Sequence, residues 1–123
     1  MVKVTRLPKI GEDERGATHY FDTARSGQFI VAYRKAGSVS GRHYHKGLAA
    51  KKNPEQIIIM QGEALLNWHD VRSNRHGSEI ITAPSLVEIE PWAWHEVISQ
   101  TDIIVFELNG LDDAKEDTFK TED

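Results

Sequence analysis

Nine short runs of β-type residues, each closed by a turn signal, constrain this chain more than any other feature. They are Val2–Leu7, Thr18–Phe21, Gln28–Lys35, Glu55–Met60, Ala64–His69, Glu79–Thr82, Leu86–Ile89, His95–Ser99 and Ile103–Leu108. Between them stand Gly11, Gly16, Ser26-Gly27, Gly37, Gly41, Gly47, Asn53-Pro54, Gly62, Pro84 and Pro91. Short, regularly punctuated strands predict an all-β sandwich or barrel. Only Leu111–Lys120 reads as a short helix, and the charged segment 111–123 reads as a polar, solvated tail. Ile57-Ile58-Ile59-Met60 is apolar at every position. A half-wet strand alternates, so this one is expected to be covered on both faces, by the opposite sheet or by a second subunit.

A length of 123 residues suits one domain around one core. With 15 basic and 19 acidic residues the formal charge is −4, and the basic residues form no stripe. Nucleic acid is therefore not an expected partner. No run approaches the ~20 apolar residues of a membrane span, and Met1–Ile10 lacks a secretory pattern, so a cytoplasmic protein is expected. The absence of cysteine excludes a disulfide framework, a thiolate nucleophile and any sulfur-ligated metal. A metal here must be held by nitrogen and oxygen.

Six histidines supply the nitrogen. His43 and His45 are two apart, which on a strand places both imidazoles on one face and Tyr44 on the other. Such a pair chelates divalent zinc, iron, nickel, manganese or copper. Glu55 opens the apolar strand, Gln61-Gly62-Glu63 reads as a hairpin turn, and His95 follows Pro91-Trp92-Ala93-Trp94. If the sheet curls into a barrel, the starts of these strands converge at one mouth. A metal-free barrel with hydrogen-bonded histidines is the alternative.

The order Gly37, His43-x-His45, Glu55, Gly62 resembles the first motif of the cupin family, and Pro91…His95 resembles its second. The resemblance covers about residues 30–108. It implies a double-stranded β-helix of two antiparallel sheets in a single cupin domain over 1–110. It also implies that His43, His45, Glu55 and His95 hold one divalent ion, and it carries the family expectation of a homodimer. Nine residues, Lys46–Pro54, separate His45 from Glu55, more than is typical of cupins. A surface loop absorbs them at little cost. Either Glu55 or Gln56 can face the site, not both. Glu55 keeps the spacing to Gly62, and a carboxylate binds a divalent ion more strongly than an amide.

Asp13-Glu14-Arg15-Gly16 and Gly41-Arg42-His43-Tyr44-His45-Lys46 are similar to segments of nucleotide-sugar cupins, the ketoisomerases and epimerases of keto-sugars, and of the metal-binding cupin domain of capsular-polysaccharide enzymes. The resemblance implies an isomerase or epimerase acting on a sugar or nucleotide sugar through an enolate. His69, Tyr33, Arg34 and Lys46 are the candidate catalytic groups, each with a plainer alternative in exposure, packing or surface charge. His19 and His76 read as solvated. A metal-dependent dioxygenase and a non-catalytic small-molecule-binding module are the alternative functions.

Overall fold

In a computed structural model, which describes residues 1–121, two antiparallel sheets face one another. The strands are β1 (Val2–Arg6), β2 (Lys9–Asp13), β3 (Gly16–His19), β4 (Ile30–Arg34), β5 (Val39–His43), β6 (Glu55–Gln61), β7 (Glu63–Asp70), β8 (His76–Thr82), β9 (Ser85–Ile89), β10 (Ala93–Ser99) and β11 (Ile103–Glu107). A helix, α1 (Leu111–Glu116), follows. One sheet runs β1-β9-β6-β11-β4 and the other β5-β10-β7-β8, while β2 and β3 form a separate hairpin. The expected all-β, double-stranded β-helix architecture is what the chain adopts.

Period-two alternation builds the core. Along β10, Ala93, His95, Val97 and Ser99 point inward, and Trp94, Glu96 and Ile98 outward. Ile57, Ile59, Leu66, Ile81, Val87, Ile89, Ile103 and Val105 join the inner layer from both sheets. Gly62 makes the tight β6–β7 turn at φ +91°, where a Cβ would run into the Asp102 carbonyl oxygen.

Strand β6 is the central strand of its sheet, as its composition predicts. Ile57 and Ile59 face the other sheet, while Ile58, fully buried, faces the opposite way. Its cross-strand neighbour Phe106 packs against Phe21 and Phe29, at ring separations of 6.4 and 5.6 Å. The outer cover near Ile58 thus includes this chain's own 20–29 segment, and Met60 at the strand end is half exposed.

Two readings of the sequence are corrected. Residues 9–19 form a hairpin rather than a single strand over 18–21. Nearly all its side chains are exposed, so it is held by main-chain pairing and leaves no burial pattern to read. The segment after residue 110 is not a solvated tail. Helix α1 leads into Asp117, which is fully buried, and Phe119 exchanges two 2.9 Å main-chain hydrogen bonds with Tyr44. The charged composition of 111–123 hid one buried carboxylate with specific partners, so the domain extends past 110; residues 122–123 lie outside the described residues.

Candidate metal centre and its cavity

His43 ends β5, and His45 lies two residues on, beyond the Tyr44–Phe119 bridge. His43 pairs in register with His95 of β10. Gly41, at φ +85°, lets these strands approach: a Cβ there would sit 3.0 Å from the His95 carbonyl oxygen. The rings stand 4.9 Å (His43–His45), 4.9 Å (His43–His95) and 5.5 Å (His45–His95) apart between centroids. Their candidate ligating atoms all lie within 4.8 Å of one another. From the facing sheet Glu55 points at the same place, with Oε2 3.0 Å from His45 Nε2 and Oε1 3.2 Å from His95 Nε2. Gln56 points away and bonds Glu88 at 3.1 Å. The four residues expected from the sequence are thus brought together.

Hydrogen bonding fixes which ring nitrogens face inward. His45 Nδ1 lies 2.5 Å from the Asp117 carbonyl oxygen, and His95 Nδ1 lies 2.9 Å from that of Ala93. A carbonyl only accepts, so each Nδ1 carries a proton. In a neutral imidazole Nε2 is then a bare lone pair. Both Nε2 atoms nevertheless abut carboxylate oxygens, and His45 Nε2 is buried without a hydrogen-bond partner. Acceptor against acceptor requires a positive charge between them, which either an Nε2 proton of an imidazolium or a metal ion supplies. Ligand atoms about 2 Å from one ion stand about 3 Å apart, as the Glu55 oxygens do from His45 Nε2 and His95 Nε2. Main-chain carbonyls that fix Nδ1 are the usual support for ligating histidines. The residues fit a divalent ion.

The electrostatics agree with that donor set. Burial, reinforced by neighbouring His95, pushes His43 down to about 3, so the ring is a neutral donor. Burial alone would raise the Glu55 carboxyl, yet the imidazoles of His45 and His95 against its oxygens hold it well below its usual value.

Lys52 is the unexpected neighbour. Sequence places it in a polar loop; the structure buries it, with Nζ 2.6 Å from Glu55 Oε2. A lysine three residues ahead of a buried glutamate was the available signal. Asp117 is the second group missed. Its carboxylate accepts from the main-chain N–H of Lys46 (2.7 Å) and of Ala49 (3.1 Å), fixing the loop that carries His45.

A cavity of about 720 Å³ opens between the sheets beside His43, His95, Glu55 and Lys52. Val97, Ile103, Val105, Ile57 and Ala32 make its apolar wall, and α1 borders it. Arg34 lines it too, with Nε donating to Ser40 Oγ at 3.1 Å. Glu107, on the inward face shared with Ile103 and Val105, lines it as well. Burial, and then the nearby Glu55 charge, raise the Glu107 carboxyl above its usual value.

The other catalytic candidates stand elsewhere. His69 pairs with Trp94 on the outward face of β7 and stacks on it at 4.9 Å, away from the inward-pointing His95. Tyr33 is 72% exposed on the outward face of β4. Lys46 rests its ammonium 4.1 Å over the Phe119 ring. None of the three lines the cavity, because alternation sends each to the other side of its strand or loop. Asp13 and Arg15 pair at 2.7 Å in the exposed β2–β3 turn, the plain local salt bridge. His19 is half-buried, with Nδ1 3.2 Å from the Leu7 carbonyl oxygen, and His76 is exposed.

The fold is that of a cupin-type β-barrel, shared with the solved structures the chain resembles. Among solved structures, the chain is similar to a dTDP-4-dehydrorhamnose 3,5-epimerase from Sulfolobus tokodaii, with 20% identity and TM-score 0.66 over 87% of this chain and 68% of that one. It is also similar to a 3,4-ketoisomerase from Helicobacter canadensis, with 18% identity and TM-score 0.69 over 98% and 90% of the two chains. A third is the capsular polysaccharide assembling protein CapF from Staphylococcus aureus, with 21% identity and TM-score 0.61, where 97% of this chain covers 33% of that one. No protein-family profile and no curated protein matches the chain. Among the described residues, no helix is long and apolar enough to cross a membrane.

Proposed function

We propose that the chain is a metal-dependent isomerase or epimerase acting on a keto-sugar, a nucleotide sugar by preference. One observation carries the metal: three imidazoles converge with their candidate ligating atoms within 4.8 Å of one another, and two of them turn Nε2 to within 3.0 and 3.2 Å of a buried carboxylate. His43, His45 and His95 would hold the ion, with Glu55 as the anionic ligand. A divalent ion so bound supplies Lewis acidity, stabilising charge that develops on a carbonyl oxygen. The residues supply the rest. The apolar wall excludes water from the reacting carbons, which strengthens every charge interaction within. Lys52 holds the Glu55 carboxylate in place. Arg34, always charged, offers a guanidinium to an anionic group of the substrate.

The sugar class draws on the similar structures, which include a dTDP-4-dehydrorhamnose 3,5-epimerase and 3,4-ketoisomerases, one of them in complex with TDP-4-keto-6-deoxyglucose. A second copy of the chain as a homodimer partner belongs to the same proposal.

The test is deuterium wash-in. Zinc-loaded protein with TDP-4-keto-6-deoxyglucose in D2O is expected to exchange hydrogen at a carbon next to the ketone, followed by NMR, without oxygen uptake. Oxygen consumption would point to a dioxygenase. Tight binding with no exchange would point to a binding module. Either result overturns the proposal, as would protein that retains no zinc.

A further inference from the structure

We infer that Glu107 is a catalytic residue of this cavity, the group that carries protons to and from the carbon acid. The inference rests on the carbonyl-sugar reading above and adds the identity of its acid–base group. Geometry comes first. Strand β11 sends Ile103, Val105 and Glu107 to one face, and that face walls the cavity. Glu107 lies opposite Ile57 in the ladder, two residues along β6 from Glu55, so its carboxyl stands on the same wall as the metal-facing carboxylate. Among the described residues no side chain hydrogen-bonds it, which leaves both oxygens free for a ligand.

Elimination supports the same choice. His43, His45, His95 and Glu55 are committed to the ion, and Lys52 to Glu55. Arg34 does not give up its proton near neutrality. Asp112 and Lys115 lie on the exposed side of α1, at the cavity's rim. Glu107 alone is ionisable, half-buried and uncommitted.

The charges around it suit the task. Burial, then the Glu55 carboxylate on β6, favour its neutral form, while Lys52, Arg34 on β4 and His45 oppose them. His43 and His95 face it from the other sheet, and Asp112 and Lys115 border it from α1. A carboxyl moved toward neutrality is better matched to proton transfer near pH 7. The step balances within the site. The Glu107 carboxylate takes the proton from the carbon beside the ketone, and the C–H electron pair passes into the enolate. The Glu107 acid exchanges its proton with solvent and returns one to carbon, the enolate electron pair forming the new C–H bond.

The experiment uses the full zinc-loaded chain, TDP-4-keto-6-deoxyglucose as probe, and the variants Glu107→Gln and Glu107→Asp. Glu107→Gln is expected to slow deuterium exchange about a hundred- to ten-thousand-fold, with zinc content and Tm unchanged. Glu107→Asp is expected to recover part of the loss. An ascending limb is expected in the wild-type pH–rate profile and is expected to be absent in Glu107→Gln. A 13C-carboxyl NMR titration of the chelator-treated wild type should show one glutamate signal titrating above the ordinary carboxylate range, missing in the Gln variant. Exchange by Glu107→Gln at the wild-type rate and pH profile overturns the assignment, as does an ordinary titration of that signal. No exchange by the wild type sinks the carbon-acid reading itself, and Glu107's role falls with it.

Discussion

Replacing Asp117 by alanine tests the claim that the chain beyond residue 110 builds the site. The Asp117 side chain is fully buried and is the acceptor for two main-chain donors, Lys46 N–H at 2.7 Å and Ala49 N–H at 3.1 Å. Alanine leaves both donors without that acceptor. An orphaned buried donor costs about 1–3 kcal/mol, and bonds to a charged acceptor lie at the upper end. Water reaching the half-buried Lys46 amide recovers part of this, so a total of about 2–4 kcal/mol is expected. The domain should remain folded, since small domains have about 5–15 kcal/mol in hand. The second consequence concerns His45. Its Nδ1 donates to the main-chain oxygen of residue 117, and that oxygen is positioned by the same anchored loop. Loss of such a supporting contact typically weakens metal affinity about 10–100-fold. Urea denaturation followed by tryptophan fluorescence measures the first effect, and competition with a chromophoric zinc chelator the second. A variant within about 0.5 kcal/mol of wild type, with unchanged zinc affinity, would refute the reasoning.

The proposed ligand set predicts that His45→Ala loses most of its bound metal while keeping its β-type circular dichroism; unchanged metal content by atomic emission would end that assignment. Lys52→Met should destabilise the chelator-treated protein by about 3–5 kcal/mol, because the buried Glu55 carboxylate loses its ammonium. The loss should be smaller with zinc bound, and equal losses in the two forms would count against an ion beside Glu55. In the metal-free chain His43 has its folded value depressed to about 3. Its contribution to stability is therefore complete above the unfolded value near 6.5 and is lost as pH falls toward 3. The slope should approach 1.4 kcal/mol per pH unit, and a His43→Gln variant lacking that slope relative to wild type is the expected control result.

The architecture was legible because period-two alternation and turn residues are local signals. Strands β6 to β11 carry enough apolar alternation to be found without any partner, whereas β2 and β3 bury nothing and could not be. Gly62 is readable for the same local reason, since the tightest hairpin turns place a residue at positive φ, where glycine is at home. The four expected ligands were legible from residue type and order, and Glu55 over Gln56 from its spacing to Gly62.

Contacts across the fold were not. Whether a lysine in a polar loop is buried depends on a carboxylate brought to it from the start of the next strand, so Lys52 looked like Lys46 and Lys51 in the sequence. Asp117 sits among charged neighbours, and only the return of the chain onto residues 44–49 makes it an anchor. His69 and Tyr33 fall on outward faces once register is set, since alternation decides inward from outward only after one residue of the strand is fixed. Composition and pattern thus determined a two-sheet β fold with a histidine-rich mouth. Tertiary structure decided which ionisable side chains meet there, because desolvation and charge pairing act through space between residues distant in the chain, as between Glu55 and His95.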